Sequence, residues 1–368
     1  MSLDEYNKDG NSLALTVLTE DFWLIDAFKG LQSAFLQNKL PHGLLINAAK
    51  GYGQLKLAYA VAASLLCQQN STEASGLNGI SGLEKTVTIE NQVSLNMACG
   101  QCKSCLLLKA KTHPDFSLEE RLIDKGKLKQ NISIDQMRAL SQKLLKTSQL
   151  QGWRIAIINS IEDMNISSFN AILKTLEEPG QNTLIMLISH GMAKVPATIK
   201  SRCQILNLNA NKNKTLEWLL HQNSNNIAPL NSKDALNAMD ICHGAPYASL
   251  EFINQGQQTE YLKLFRNLDA ILSNQVSANE LLLQHKEQIA FLIPWVASYF
   301  HQVSQSILIK HEQRYKNVPH KTVFNLYEQL INLNRAQASG SNLQLTLQLE
   351  AILIHWFELG RKIVHYSK

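Results

Sequence analysis

Ala48-Ala49-Lys50-Gly51-Tyr52-Gly53-Gln54-Leu55 follows a short apolar run and precedes a stretch rich in alanine and leucine. That is where strand, phosphate-binding turn and helix meet in a P-loop protein. An intact loop reads G-x-x-x-x-G-K-[ST], its lysine reaching the β and γ phosphates and its hydroxyl holding magnesium. Here Ala48 replaces the first glycine, Gln54 the lysine and Leu55 the hydroxyl. Gly51 and Gly53 remain, so the chain keeps the residues that enter left-handed backbone conformations without steric cost. A neutral amide does not offset triphosphate charge and a leucine does not ligate a metal. The loop therefore predicts the shape of a nucleotide site with no ATP held or hydrolysed in it.

Outward from the loop, the apolar spacing of Phe22, Ile25, Phe28, Leu31 and Phe35 predicts an amphipathic helix over Phe22 to Leu40. A strand is expected at Gly43 to Asn47 and a helix at Leu55 to Cys67. Between Cys67 and Cys99 the chain turns to Asn, Ser, Thr, Gly and Glu, with few large apolar residues until Val87 and Ile89, which reads as a surface insertion with at most one hairpin. Asp115 to Glu119 is a strand candidate. Asp135 is expected to cap a helix whose buried stripe is Met137, Leu140, Leu144 and Leu145. Arg154 to Asn159, Thr183 to Ser189 and Gln204 to Leu208 read as strands, the first two continuously apolar as in a covered parallel sheet. Between them Met164 to Leu176 predicts a helix burying Ile166, Phe169, Ile172, Leu173 and Leu176 and ending before Pro179.

Strands alternating with helices imply an α/β domain over 1–210, a parallel sheet with helices on both faces. Beyond it helical periodicity takes over: a small helical unit over 211–252, with helices at Leu216 to Leu220 and Ala235 to Cys242, then an all-helical unit over 253–368. The last helix carries Leu345, Leu349, Ile352, Leu353, Trp356, Phe357 and Ile363, an apolar face broad enough for a core or a subunit contact. A chain of 368 residues is long enough for two or three such domains. Its net charge of +5 is too modest to establish nucleic-acid binding alone. No apolar run reaches the roughly 20 residues that span a bilayer, and the one near Ile289 to Phe300 contains Pro294. The polar start, Met1 to Asn11, lacks a signal core, so a cytoplasmic protein is expected.

Thiols stay reduced in that compartment, which makes clustered cysteines metal ligands before disulfides. Cys99, Cys102 and Cys105 stand at C-x-x-C-x-x-C spacing and Cys67 closes the preceding helix. Four thiolates suit structural zinc. An iron–sulfur cluster and free thiols are the alternatives, the first lacking the x-x-x-C-P continuation of ferredoxin runs. Cys203 and Cys242 stand alone and read as small core residues.

Further stretches carry a family resemblance: Leu40-Pro41-His42-Gly43-Leu44-Leu45, His113-Pro114-Asp115, Leu173-Lys174-Thr175-Leu176-Glu177-Glu178-Pro179, Ser201-Arg202-Cys203, and Asn342 to Leu353 with Glu350. Together with the worn loop and the cysteine cluster, in this order along the chain, they resemble the delta-prime family of bacterial DNA polymerase III clamp-loader subunits, within the AAA+ superfamily. The resemblance implies an AAA+ α/β domain with an inserted zinc module (67–105), a helical lid and a C-terminal collar. It implies a subunit that does not hydrolyse ATP and inserts Arg202 as an arginine finger into the ATP site of a neighbouring motor (gamma/tau) subunit. Ser201 would shape the turn and Cys203 pack beneath it. The clamp-opening delta subunit, the sliding clamp and primed DNA are the other implied partners, with no membrane. Active relatives end their third strand with an Asp-Glu pair, where this chain has Asn159-Ser160. Glu162 and Asp163 lie past that strand end and are expected to begin the next helix. Rival readings are an active AAA+ ATPase, as a motor subunit or small helicase, and a zinc-dependent nucleic-acid-binding module.

Overall fold

The computed structural model describes residues 18, 20–70, 98–124, 126–192, 195–222, 230–273, 275–284, 289–310, 315, 317–338 and 344–366. The polar start, the insertion from residue 71 to 97 with Val87 and Ile89, and Asn342 lie outside the described residues. By its internal contacts the chain divides into two units, residues 1–251 and 252–368.

In the first unit helix α1 (Phe22–Leu36) leads to strand β1 (Gly43–Asn47), the loop and helix α2 (Gln54–Leu66). Helix α1 stops short of Leu40, with Asn38 in the left-handed region at φ 55°, and it buries Trp23 and Leu24 beside Phe28 and Leu31. A short helix α3 (Lys103–Lys109) precedes β2 (Phe116–Glu119) and a small antiparallel hairpin of β3 (Ile123–Asp124) and β4 (Lys127–Leu128). Then come helix α4 (Ile134–Leu145), β5 (Arg154–Ile158), helix α5 (Ile166–Glu177), β6 (Thr183–Ser189), one turn of helix α6 (Ala197–Lys200) and β7 (Gln204–Asn207). Helices α7 (Lys212–Gln222), α8 (Ser232–Ile241) and α9 (Pro246–Asn254) follow.

The main sheet is five-stranded, in the order β2-β5-β6-β1-β7. Every pairing in it is parallel. Side chains alternate across a strand, so each face of β1, β5 and β6 needs its own cover. On one face Leu45, Ala156, Ile158, Ile185 and Leu187 meet Met137, Leu140 and Leu144 of α4 and Phe169, Ile172 and Leu176 of α5. Helix α2 packs toward β5 and β6. Leu44, Ile46, Ile155 and Ile157 are likewise fully buried.

Three local expectations need correction. Ser133, not Asp135, caps α4: its hydroxyl accepts from the Gln136 amide while the Gln136 side chain accepts from the Ser133 N–H, a reciprocal capping box. Leu145 lies in the last turn of α4 and is exposed, as is Ile166 at the first position of α5, because each projects about a quarter turn off the stripe that faces the sheet, Met137, Leu140 and Leu144 in α4 and Phe169, Ile172 and Leu176 in α5. Glu162 and Asp163 do not begin α5. They form a separate 3₁₀ turn, Ile161–Asp163, and α5 starts after Asn165, whose side chain accepts from Ser168 N–H.

The second unit is helical: α10 (Gln257–Leu272), α11 (Ala278–Gln284), α12 (Ile289–Gln305) with Pro294 inside it, a π turn (Ser306–Lys310), α13 (His320–Ala338) and α14 (Leu345–Tyr366). Trp356 of α14 is fully buried, meets the Phe300 ring edge-on at 4.9 Å and donates to the Leu268 carbonyl at 2.9 Å. The Tyr299 and Tyr315 hydroxyls both donate to the Asp269 carboxylate. None of the described helices is long and apolar enough to cross a membrane.

Candidate functional site

The loop leaves β1 after Asn47 and turns through Gly51 (φ 93°) and Gly53 (φ 83°), the latter capping α2. Both glycines are needed for space as well as for backbone angle. A Cβ on Gly51 would fall 2.5 Å from the Ala248 side chain, and one on Gly53 would fall 2.7 Å from the Tyr247 ring. The start of α9 is thus seated on the loop, where Tyr247 N–H donates to the Gly51 carbonyl at 3.0 Å. Tyr247 is fixed from its other end: its hydroxyl donates to Asp21 at 2.6 Å and accepts from Lys56 at 3.0 Å, while Lys56 also pairs with Asp21 at 2.6 Å. The Trp23, Trp218 and Tyr247 rings pack edge to face, and Trp23 Nε1 donates to the Tyr52 carbonyl.

Inside the loop lies Gln54, 2% exposed. Its amide nitrogen donates to the Ala48 carbonyl at 2.8 Å and the Ala49 carbonyl at 3.1 Å, and it faces His190 Nδ1 at 3.1 Å. Burial holds His190 below its ordinary pKa, the neighbouring Glu162 carboxylate opposing this, so the neutral ring is available as acceptor. Where a P-loop offers a phosphate N–H groups and a cation, this loop turns two carbonyls onto its own glutamine.

The other half of a hydrolytic site is also engaged elsewhere. Asn159 is buried and its side chain faces Glu120, and Ser160 is left-handed at φ 61°. One oxygen of Glu162 accepts from Ser189 Oγ, His190 N–H and Gly191 N–H at 2.6, 2.6 and 3.0 Å. Asp163 pairs with Arg121 at 2.9 Å. Glu162 is therefore a clasp on the end of β6, a role that spacing alone did not reveal.

Arg202 stands between α6 and β7. Register places its distance from the loop: Gln204 pairs with Leu44, so Arg202 lies at the N-terminal end of the sheet. The loop begins at the other end, past Asn47. At about 3.3 Å per residue those four strand residues alone put roughly 13 Å between them. Cys203 packs against the core under α5, and burial pushes its thiol up to about 11. Its sulfur would lie 3.2 Å from a Cβ at Gly43, so this turn and the entry to β1 are in close contact.

Cys67, Cys99, Cys102 and Cys105 come together with their sulfurs all within 4.8 Å of one another, Cys99 and Cys105 at 3.9 Å. Tetrahedral Zn–S bonds of about 2.3 Å place thiolates roughly 3.8 Å apart, so the donor set fits zinc in both chemistry and spacing. Backbone N–H groups of Cys99, Cys102 and Cys105 point at the sulfurs of Cys67, Cys99 and Cys102, as suits thiolates. Behind them His113 Nδ1 accepts from Asp115 N–H, which leaves Nε2–H to donate to Ser104 Oγ, and Ser104 donates to the Leu66 carbonyl. This chain of bonds ties the segment before Cys67 to the helix carrying Cys105. In the sequence His113 stands out only as part of a resembling motif, and its spacing carries no sign of this role.

A parallel sheet entered through a β1–loop–α2 turn, with the start of α9 seated on that turn, is the architecture of a P-loop-type α/β domain, here one whose loop is filled from within. Comparison with known proteins narrows the class. The chain is 28% identical over 336 residues to DNA polymerase III subunit delta' of Pseudomonas aeruginosa, covering 86% of this chain and 92% of that one. It is 27% identical to the Haemophilus influenzae subunit, covering 89% and 86%. Against the Escherichia coli subunit it is 30% identical, over 50% of this chain and 47% of that one. The profile of the family described as DNA polymerase III, delta subunit, matches residues 80–212. A DNA polymerase III gamma subunit-related protein of Thermotoga maritima aligns over 91% of this chain and 99% of its own, at 15% identity and a TM-score of 0.40, too distant to add weight. The chain is thus similar, over most of its length, to delta-prime subunits of bacterial DNA polymerase III.

Proposed function

We propose that this protein is a clamp-loader subunit of the DNA polymerase III holoenzyme that hydrolyses no nucleotide itself and lends Arg202 to the ATP site of an adjoining motor (gamma/tau) subunit. The observation that carries the reading is the separation of the two features. Arg202 sits at the far end of the sheet from its own loop, and that loop is filled by Gln54 and covered by Tyr247 and Ala248. An arginine so placed has no nucleotide to serve in its own chain. A guanidinium brought to a neighbour's triphosphate stabilises charge on the transferred phosphoryl oxygens, an effect of about 10³–10⁵ in rate for arginine fingers. Lysine would not replace it, since a point charge lacks the planar fork.

The remaining parts take supporting roles. Residues 211–252 form the lid, and residues 253–368 form the collar that joins this subunit to the motor subunits and to the clamp-opening delta subunit. The assembly acts on the sliding clamp and primed DNA in the cytoplasm. Cys67, Cys99, Cys102 and Cys105 hold structural zinc, which would staple a segment with little apolar surface of its own. The test is reconstitution with motor and delta subunits. Arg202→Ala should assemble normally and lower clamp-stimulated turnover at the adjoining site by about 10³-fold or more. Normal assembly with unchanged turnover contradicts the finger.

A further inference from the structure

The Arg202 side chain is not free in the isolated chain. Its Nε–H donates to Glu177 Oε1 at 2.7 Å, and Nη2 donates to the same oxygen. Nη1 donates to the Thr198 carbonyl at 2.8 Å and to Ser201 Oγ at 3.1 Å. Of the five N–H donors of a guanidinium, four are therefore engaged within the chain, one Nη2 hydrogen remaining. A phosphate oxygen pair needs two parallel donors to be gripped bidentately.

The partners differ in how easily they are given up. Thr198 and Ser201 belong to the turn that carries Arg202, so their bonds travel with it. Glu177 comes from another element, the last residue of α5, and its carboxylate is about half exposed at 48%. Such a pair is weakly held and screened by salt. It also occupies the Nε/Nη2 edge, one of the two edges that offer parallel N–H groups.

We infer that Glu177 is an exchangeable latch: it holds the Arg202 guanidinium back while no nucleotide adjoins it and is displaced when a neighbour presents a triphosphate. The inference rests on the trans role proposed for Arg202. Charge makes the exchange directional, because a triphosphate with its metal offers several anionic oxygens where Glu177 offers one carboxylate. The latch keeps the finger in a defined place and costs the adjoining site some affinity for ATP, since phosphate and carboxylate compete for one cation.

Glu177→Gln separates charge from shape, its amide oxygen remaining an acceptor in the same place. In the reconstituted loader this variant should raise kcat/KM for ATP about two- to fivefold, carried by a lower KM with kcat unchanged, the range set by the strength of exposed ion pairs. The difference between wild type and variant should shrink as salt rises. In an Arg202→Ala background Glu177→Gln should have no effect. An unchanged or lowered kcat/KM in the single variant, or an effect that persists without Arg202, overturns the latch while leaving the finger standing. If Arg202→Ala alone leaves turnover intact, the trans role itself fails and the latch falls with it.

Discussion

Gln54 is the residue on which the nucleotide question turns. The lysine of an intact loop would stand at its position, and the substitution removes the cation and leaves an amide bonded to the carbonyls of Ala48 and Ala49. Restoring the lysine should not restore the site. In Gln54→Lys an ammonium enters a position 2% exposed, facing two carbonyls, while Tyr247 and Ala248 still close the loop. The variant is expected to lose about 1–3 kcal/mol of stability in urea unfolding and to bind no Mg–ATP by calorimetry. Saturable binding would contradict this view of the loop. The missing lysine and hydroxyl were legible in the sequence because a motif specifies residue types. The filling of the loop was not, because the partners of Gln54 include His190, and the closure depends on Tyr247 and Ala248, all far along the chain. Glu162 shows the same limit: spacing excluded it from the strand end, while only the fold shows it bonded to the end of β6.

At the scale of elements, the continuous apolar runs at Ile155 to Ile158 and Leu184 to Ile188 were readable as covered parallel strands because both faces demand large side chains. Helix ends were less legible, since Ser133 and Asp135 are both plausible caps and only the side-chain geometry chooses between them. The cysteine segment is the element with most to gain from a metal. Between Cys99 and His113 the buried residues are few, chiefly Ser104, Cys105 and Leu108, so thiolate–metal bonds would carry what apolar burial does not. A strong chelator is expected to release stoichiometric zinc. Amide exchange should then rise across 98–113 while β5 and β6 stay protected, because their core is built from α4 and α5. Unchanged exchange on metal loss, or no zinc in the purified protein, would contradict a staple.

On the scale of the whole molecule, each unit has its own core, the first around the sheet and the second around α12 and α14. Helical periodicity made the second unit recognisable, although its buried Tyr299–Asp269–Tyr315 group needs residues from three separated stretches and leaves no local pattern. The opposition of Arg202 to its own loop is likewise a property of sheet register. A short motif marks the residue and not the end of the sheet where it stands. An arginine at one end of the sheet and a loop filled by Gln54 at the other are the two features on which the proposed trans role rests. The most direct test is the structure of the assembled loader with a non-hydrolysable ATP analogue. The account predicts Arg202 released from Glu177, its guanidinium within hydrogen-bond distance of the γ-phosphate held by the adjoining subunit, and the loop at Ala48 to Leu55 without nucleotide. A guanidinium still on Glu177 and facing no triphosphate, or nucleotide seated on Gln54, would contradict it.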